Sequence, residues 1–339
     1  MRQAIMTHPG TIEFRDVPEP KPGPGEILLR IQKIGVCGSD IHVWHGQHPF
    51  TPYPVVQGHE YSGEVVAVGE GVSKVGIGMK ATAAPQEVCG QCAHCRRGDY
   101  NICDHLKVRG FQAPGCAQDF FIVPEQRVVA IPDSLSFEQG AFIEPIAVAA
   151  HATARGGDLS GKNVVVTGAG TIGNLIAQAA TCRGAKRVLI TDINDFRLKK
   201  AREVGVENTC NVLTEDFATK AKVVFGSEGF SVAFEAAGVE ASLDTAVQEI
   251  QKGGTIVVVA VYGERPRVDL SIIGDRELSL IGTLMYQQID YEQAVIWLAE
   301  GLIRTESLVT SHFPFDQYEA AYHHIEANSD STLKVMIDL

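Results

Sequence analysis

The texture of apolar and polar positions changes once along this chain, near Phe137. Before that point, short apolar runs are separated by turn residues. Ile27-Leu28-Leu29-Arg30-Ile31, the stretch from Tyr61 to Gly69, and Phe120-Phe121-Ile122-Val123 read as strands. Pro18, Pro20, Pro22 and Pro24, with Gly23 and Gly25, punctuate the sequence ahead of them. This half predicts a compact, mostly β domain. Beyond it, residues 137–154 read as one linking helix. Asn163-Val164-Val165-Val166-Thr167 is an apolar run suited to a strand buried on both faces of a parallel sheet. A glycine turn and a helix over 174–183 follow, then a second buried strand, Arg187 to Asp192. Val232 to Glu235 and Thr255 to Ala260 read as later strands. Buried strands alternating with helices predict an α/β, doubly wound parallel sheet. From Ile289 onward come helical patches and a last strand, Leu333 to Ile337, in a position to complete the first domain.

A length of 339 residues exceeds one ordinary core and predicts two domains. The net charge of −12 opposes nucleic-acid backbones and anionic lipid surfaces, so neither is expected as a partner. No run of 18 apolar residues marks a membrane span. The segment Met1 to Pro9 has no apolar core or cleavage site of a secretory signal. A cytoplasmic location is therefore expected, and there the eight cysteines read as thiols or metal ligands rather than disulfides.

Gly168-Ala169-Gly170-Thr171-Ile172-Gly173 fits G-x-G-x-x-G directly between a predicted strand and a predicted helix. Gly168 permits the tight turn, Gly170 admits a pyrophosphate to the backbone, and Gly173 lets helix and strand pack closely. The helix N-terminus, at Thr171 and Ile172, adds free N–H groups. Asp192 ends the next strand about twenty residues on, where a carboxylate accepts from ribose hydroxyls and repels a 2′-phosphate, which favours NAD over NADP. Arg197 and Lys199 pull weakly the other way. Both are expected to line a helix beside the adenine or to face solvent.

Cys89, Cys92 and Cys95, followed by Cys103, have the spacing of a closed tetrahedral zinc site with no position left for substrate, hence a structural one. His94 is a spare imidazole expected at the surface. A second constellation is dispersed: Cys37-Gly38-Ser39-Asp40-Ile41-His42, Gly58-His59-Glu60, and Glu144-Pro145. Cysteine, histidine and carboxylate can supply three zinc ligands and leave one position open.

These segments, with Gly58 to Val72 following G-H-E-x-x-G-x-x-x-x-x-G-x-x-V, resemble the zinc-containing medium-chain dehydrogenase/reductase family over nearly the whole chain. Within it they look nearest to the polyol (sorbitol-type) dehydrogenases and their sugar-acid relatives. The resemblance implies a GroES-like, mostly β catalytic domain at 1–147 and 288–339, and a Rossmann domain at 148–287. It implies that Cys37 and His59 hold a catalytic zinc, with Glu60 or Glu144 as third ligand or as support for the metal's water. Glu144 stands where classical alcohol dehydrogenases carry cysteine, which favours the polyol side. The implied activity is NAD(H)-linked oxidation of a secondary hydroxyl of a polyol, sugar acid or cyclitol to a ketone. Ser39 would take the hydroxyl proton and pass it through the cofactor ribose to His42. Trp44, His45, His48, Phe50, Phe111 and Tyr286 are candidate pocket walls or simple core and surface residues. Leu278 to Gly282 would pair sheet edges in a homodimer or homotetramer. One departure is Val75-Gly76-Ile77-Gly78-Met79-Lys80, which lacks the Gly-Asp turn of relatives, with a small effect on local stability expected. The alternatives are a simple secondary-alcohol or 2,3-diol dehydrogenase, a non-catalytic zinc-binding relative, and a zinc-ribbon nucleic-acid module. The lobe's near balance of Arg96, Arg97, Lys107 and Arg109 with Asp99 and Asp104 disfavours the last of these.

Overall fold

The structure is a computed structural model that describes all 339 residues. The chain divides into two units. Unit 1 holds Met1–Glu144, Gln287–Ala299 and Val309–Leu339, and unit 2 holds Pro145–Tyr286 and Glu300–Leu308. The excursion Glu300–Leu308 sits with unit 2 because Gln178 and Arg304 exchange side-chain-to-backbone hydrogen bonds of 3.1 and 2.7 Å.

Unit 1 is built on strands β1 (Arg2–His8), β2 (Thr11–Asp16), β3 (Glu26–Val36), β4 (Glu60–Val68), β5 (Lys80–Ala83), β6 (Gln86–Glu87), β7 (Lys107–Val108), β8 (Phe120–Pro124), β9 (Val128–Ile131), β16 (Val309–Pro314) and β17 (Lys334–Asp338). Its main sheet runs β16-β17-β3-β4-β5-β9, with β8 added along β3. Only the β16–β17 pair is parallel. Apolar side chains of β3 and β4 such as Ile27, Leu29, Ile31, Ile34, Tyr61 and Val65 build one core with Trp44, Phe121, Tyr318 and Tyr322. The register sets Gly35 opposite Glu60 and Val36 opposite Val335. Three segments far apart in sequence thus meet at one end of β3. Helix α1 (Gly38–Trp44) leaves that end immediately, and the short α2 (Ala93–Arg97) lies in the loop closed by the β6–β7 pair.

The linking helix expected over 137–154 is two helices, α3 (Phe137–Ala141) and α4 (Ile143–Arg155). Pro145 has no N–H and its ring would clash with the carbonyl four residues back, so the helix restarts at Ile143 and keeps the proline in its first turn.

Unit 2 contains the parallel strands β10 (Asn163–Thr167), β11 (Arg187–Asp192), β12 (Asn208–Asn211), β13 (Val232–Glu235), β14 (Thr255–Val258) and β15 (Ser279–Gly282), in the order β12-β11-β10-β13-β14-β15. Helices α5 (Thr171–Cys182), α6 (Asp195–Glu203), α7 (Phe217–Phe225), α8 (Glu240–Glu249) and α9 (Leu270–Asp275) connect them. Val164 to Val166 are fully buried, as a strand covered on both faces requires. The strand order reverses between β10 and β13, the crevice where open α/β sheets bind ligands. Two boundaries differ from the sequence reading. Helix α5 starts at Thr171, because the glycine turn itself opens it. Strand β14 stops at Val258, because the amides of Val259 and Ala260 both turn to the carbonyl of Glu235. Helices α10 (Gln288–Ala299) and α11 (Tyr318–Ala327) belong to unit 1. No helix is long and apolar enough to cross a membrane.

Candidate active site

The end of β3 carries a charged cluster inside an apolar core. Cys37 precedes α1, and the Asp40 carboxylate in that helix's first turn accepts the Cys37 N–H at 2.9 Å, which fixes the thiol at the helix entrance. His59 and Glu60 lie at the start of β4, 5% and 1% exposed. The ligand atoms of Cys37, His59 and Glu60 all fall within 4.8 Å of one another. Gly35 makes this possible, since a Cβ there would lie 2.3 Å from Glu60 Oε2. The carboxylate folds over the bare backbone of β3 to meet Lys334 Nζ at 2.5 Å, and the ammonium also donates to the Val36 carbonyl at 3.1 Å. Burial lowers the Lys334 pKa, but Glu60, Cys37 and Glu144 more than offset this, so the ammonium keeps its proton.

His59 Nδ1 stands 3.5 Å from Asp40 Oδ1 without a well-formed hydrogen bond, and Nε2 is the nitrogen left for a metal. Burial pushes the His59 pKa down, while Asp40 and Cys37 push it up further, to a net rise. The pocket therefore attracts positive charge. A thiol, an imidazole with an orphaned nitrogen and a carboxylate, gathered within 4.8 Å of one another, fit a borderline-soft cation such as zinc. Glu144 is buried in the first turn of α4 and acts on Lys334, but it does not join the three converging ligand atoms.

Ser39 and His42 lie three residues apart on α1, half-buried and exposed respectively. Beside His59, the Phe111 ring lies 4.9 Å away, and His48 stacks on Phe111 at 4.8 Å. Burial and the nearby His42 hold the His48 pKa below its ordinary value. The remaining wall candidates are elsewhere. Trp44 belongs to the unit 1 core and donates to Glu326 at 2.9 Å, and His45 pairs with the same carboxylate at 2.6 Å. Phe50 is 73% exposed, and Tyr286 is fully buried in unit 2. Asp40 and Lys334 have no role in the motifs that the sequence displays. The Asp40 position three residues after Cys37 was a readable capping signal. Nothing local marked Lys334.

The four cysteines Cys89, Cys92, Cys95 and Cys103 form a second group. Sulfur separations of 3.5, 3.9 and 4.0 Å bracket the roughly 3.8 Å edge of a tetrahedron with Zn–S bonds of about 2.3 Å. They are far beyond the length of a disulfide. The N–H groups of Cys92, Cys95 and His105 point at sulfur atoms within 3.4 Å. Backbone N–H groups of Cys95 and Asp104 hold the Cys92 thiol down to about 6, while partial burial and the neighbouring thiols push Cys95 up to about 12. Four thiolates cannot coexist here without a cation, so this set also fits zinc. His94 is not the exposed imidazole expected. It is half-buried, its ring nitrogens facing Arg97 at 3.0 Å and Asp104 at 3.6 Å.

In unit 2, Gly168 has φ +87°, and a Cβ on Gly173 would lie 1.8 Å from the Gly168 carbonyl oxygen. Gly170 has open space where its Cβ would be, beside the unbonded first amides of α5. That cradle fits a pyrophosphate. Asp192 is buried; its carboxylate accepts the N–H groups of Ala169, Ile193 and Asn194 at 2.7–2.9 Å. Arg197 is not directed away from it, because its guanidinium approaches the same carboxylate at 3.9 Å.

Residues 23–133 match the model of the alcohol dehydrogenase GroES-like domain, and residues 171–300 match that of zinc-binding dehydrogenases. The chain is 32% identical over 343 residues to a sorbitol dehydrogenase from Halalkalibacterium halodurans, covering 99% of each. It belongs to the zinc-containing medium-chain dehydrogenase/reductase family. Similarity within this family also extends to an L-threonine 3-dehydrogenase from Rhizobium etli, 31% identical and covering 96% of this chain and 94% of that one. A solved alcohol dehydrogenase from Escherichia coli CFT073, in complex with NADH, matches with a TM-score of 0.91 and 30% identity over 100% of this chain and 99% of that one. As a medium-chain dehydrogenase/reductase, the protein is an oxidoreductase acting on alcohols, with a GroES-like and a Rossmann-type domain.

Proposed function

We propose that this enzyme oxidises a secondary hydroxyl of a polyol, sugar acid or cyclitol to a ketone with NAD, using one catalytic and one structural zinc per chain. The observation that carries the reading is the convergence of Cys37, His59 and Glu60 around an imidazole whose second nitrogen faces a buried carboxylate. Bound zinc supplies Lewis acidity toward the hydroxyl, and bound NAD supplies the hydride acceptor. The chain's own residues do the rest. Asp40 places a buried carboxylate opposite the His59 ring, Lys334 restrains Glu60, and Glu144 adds negative charge beside them. Ser39 and His42, one turn apart on α1, offer a proton path from a half-buried to an exposed position. His48 and Phe111 form a mixed polar and aromatic wall beside His59, which supports a hydroxyl-rich substrate over a long alkyl alcohol. The buried Asp192 carboxylate supports NAD over NADP, with Arg197 as the opposing charge.

The Cys89–Cys103 group supports the structural zinc. Strand β15 is a sheet edge with Leu280 exposed on it and Leu284 exposed just after it, which supports pairing of two chains into a dimer or tetramer. A simple secondary alcohol or 2,3-diol remains the second reading, because one histidine and one aromatic ring do not set substrate length. The test pairs metal analysis with NADH absorbance over a panel of polyols, sugar acids, cyclitols and short diols. Two zincs per chain and preference for the larger hydroxylated substrates support the reading. Full turnover after loss of the Cys37-site metal overturns it.

A further inference from the structure

Glu235 is the last residue of β13 and is completely buried, yet no lysine, arginine or histidine pairs with it. Its carboxylate is held by neutral donors instead. Oε1 accepts Thr167 Oγ1 at 3.2 Å, the amides of Ala237 and Gly238 at 3.0 and 3.1 Å, and Ser242 Oγ at 2.6 Å. Oε2 accepts Tyr262 Oη at 2.7 Å and the Gly238 amide at 3.3 Å. Thr167 ends β10, Ala237 and Gly238 follow β13, Ser242 is on α8, and Tyr262 follows β14. One side chain therefore ties together the carboxyl ends of three adjacent parallel strands. The Glu235 carbonyl strengthens the tie by accepting the amides of Val259 and Ala260 at 2.9 and 3.0 Å. The tied segments also touch. A Cβ on Gly168 would lie 2.9 Å from the Ala236 backbone, and one on Gly238 would lie 3.0 Å from the Val261 carbonyl oxygen.

The position of this knot in the sheet gives it a meaning. Asp192 lies on β11, on one side of β10, while β13 and β14 lie on the other. A dinucleotide whose pyrophosphate sits on the Gly168–Gly173 turn and whose adenosine ribose lies toward Asp192 must lay its other half over the loops 236–238 and 259–262. We infer that Glu235 is a positioning residue for the nicotinamide half of the cofactor, holding those two loops in their binding conformation and leaving the adenosine half untouched. The inference rests on the reading of unit 2 as a nicotinamide-dinucleotide domain. An acceptor-only group suits the task, because five donors converge on two oxygens and any donor left unmatched in this buried place is costly.

The test compares AMP and NADH binding by titration calorimetry on the full protein. Glu235→Ala is expected to weaken NADH by about tenfold or more, a difference of about 1.4 kcal/mol, with AMP affinity within about twofold. Glu235→Gln should restore most of the NADH affinity. Its amide oxygen can replace Oε1, and its NH2 can donate to a Tyr262 hydroxyl turned to accept. If Glu235→Ala does not fold, Tyr262→Phe serves, with a smaller loss confined to NADH. Equal weakening of AMP and NADH, or no change in either, overturns the inference. A wild-type protein that binds neither ligand overturns the dinucleotide reading itself, and the role of Glu235 with it.

Discussion

Gly35→Ala is a small substitution with a large expected effect. The new methyl carbon would lie 2.3 Å from Glu60 Oε2, where ordinary contact is about 3.4 Å, so the oxygen must retreat by about 1 Å. It cannot retreat toward Lys334 Nζ, which is already at 2.5 Å. The ion pair is then stretched to about 3.5 Å, beyond hydrogen-bond reach, with both partners still buried. Crowding a packed core costs about 1–3 kcal/mol and breaking a buried pair about 3–5, and these overlap here rather than add, so a loss of about 2–4 kcal/mol is expected. Urea unfolding followed by tryptophan fluorescence and circular dichroism measures it. Gly76→Ala is the control, since nothing lies within 4 Å of its Cβ position, and it should stay within about 0.5 kcal/mol of wild type. The loss should shrink in a Lys334→Met background, because the pair is already gone there. An unfolding midpoint for Gly35→Ala equal to that of Gly76→Ala, or full additivity with Lys334→Met, would refute the reasoning.

Cys103→Ser should lower zinc content from about two to about one per chain and loosen the 89–103 lobe, read by plasma emission analysis and by proteolysis at 90–102. Cys37→Ser should remove the other zinc and the activity while NADH still quenches protein fluorescence; retained activity in the metal-depleted variant would count against the catalytic assignment. Asp192→Ala should raise the ratio of kcat/KM with NADP to that with NAD by about tenfold or more, since it removes the repelling carboxylate and frees Arg197. The Glu125 carboxyl is held below its usual range by the N–H groups of Ser73 and Lys74. A lowered folded pKa adds stability above the unfolded value, and that stability is lost as pH falls through the folded one. Unfolding curves from pH 6 to pH 3 should therefore fall less steeply for Glu125→Gln than for wild type.

How much of this was legible in the sequence depended on how local each determinant is. The Cys89–Cys103 set and the Gly168–Gly173 turn are written within about fifteen residues, and the structure gathers each of them as spaced. Cys37, His59 and Glu60 were readable only through resemblance, since a sheet register brings them together. Lys334 lies 274 residues from Glu60 and is invisible to any local pattern, because a lone lysine within the last strand reads as a solvent-facing position. Glu235 was read as a mere strand end for the same reason: the five groups that need it come from four segments. Trp44 and His45 followed a motif and so looked like pocket walls, but the docking of α11 against α1 claims both through Glu326.

The placement of β17 gives the chain a timetable. This strand lies between β16 and β3, yet its Lys334 is made 298 residues after the Val36 it joins. Every residue of unit 2 has by then been made, so the Rossmann-type half can mature while the other half still waits for its seam. Until that seam closes, Glu60 has no ammonium beside it, and β16 has no neighbour joining it to the rest of its sheet. A chain interrupted before β17 would thus carry a complete Rossmann-type unit and an unfinished GroES-like one.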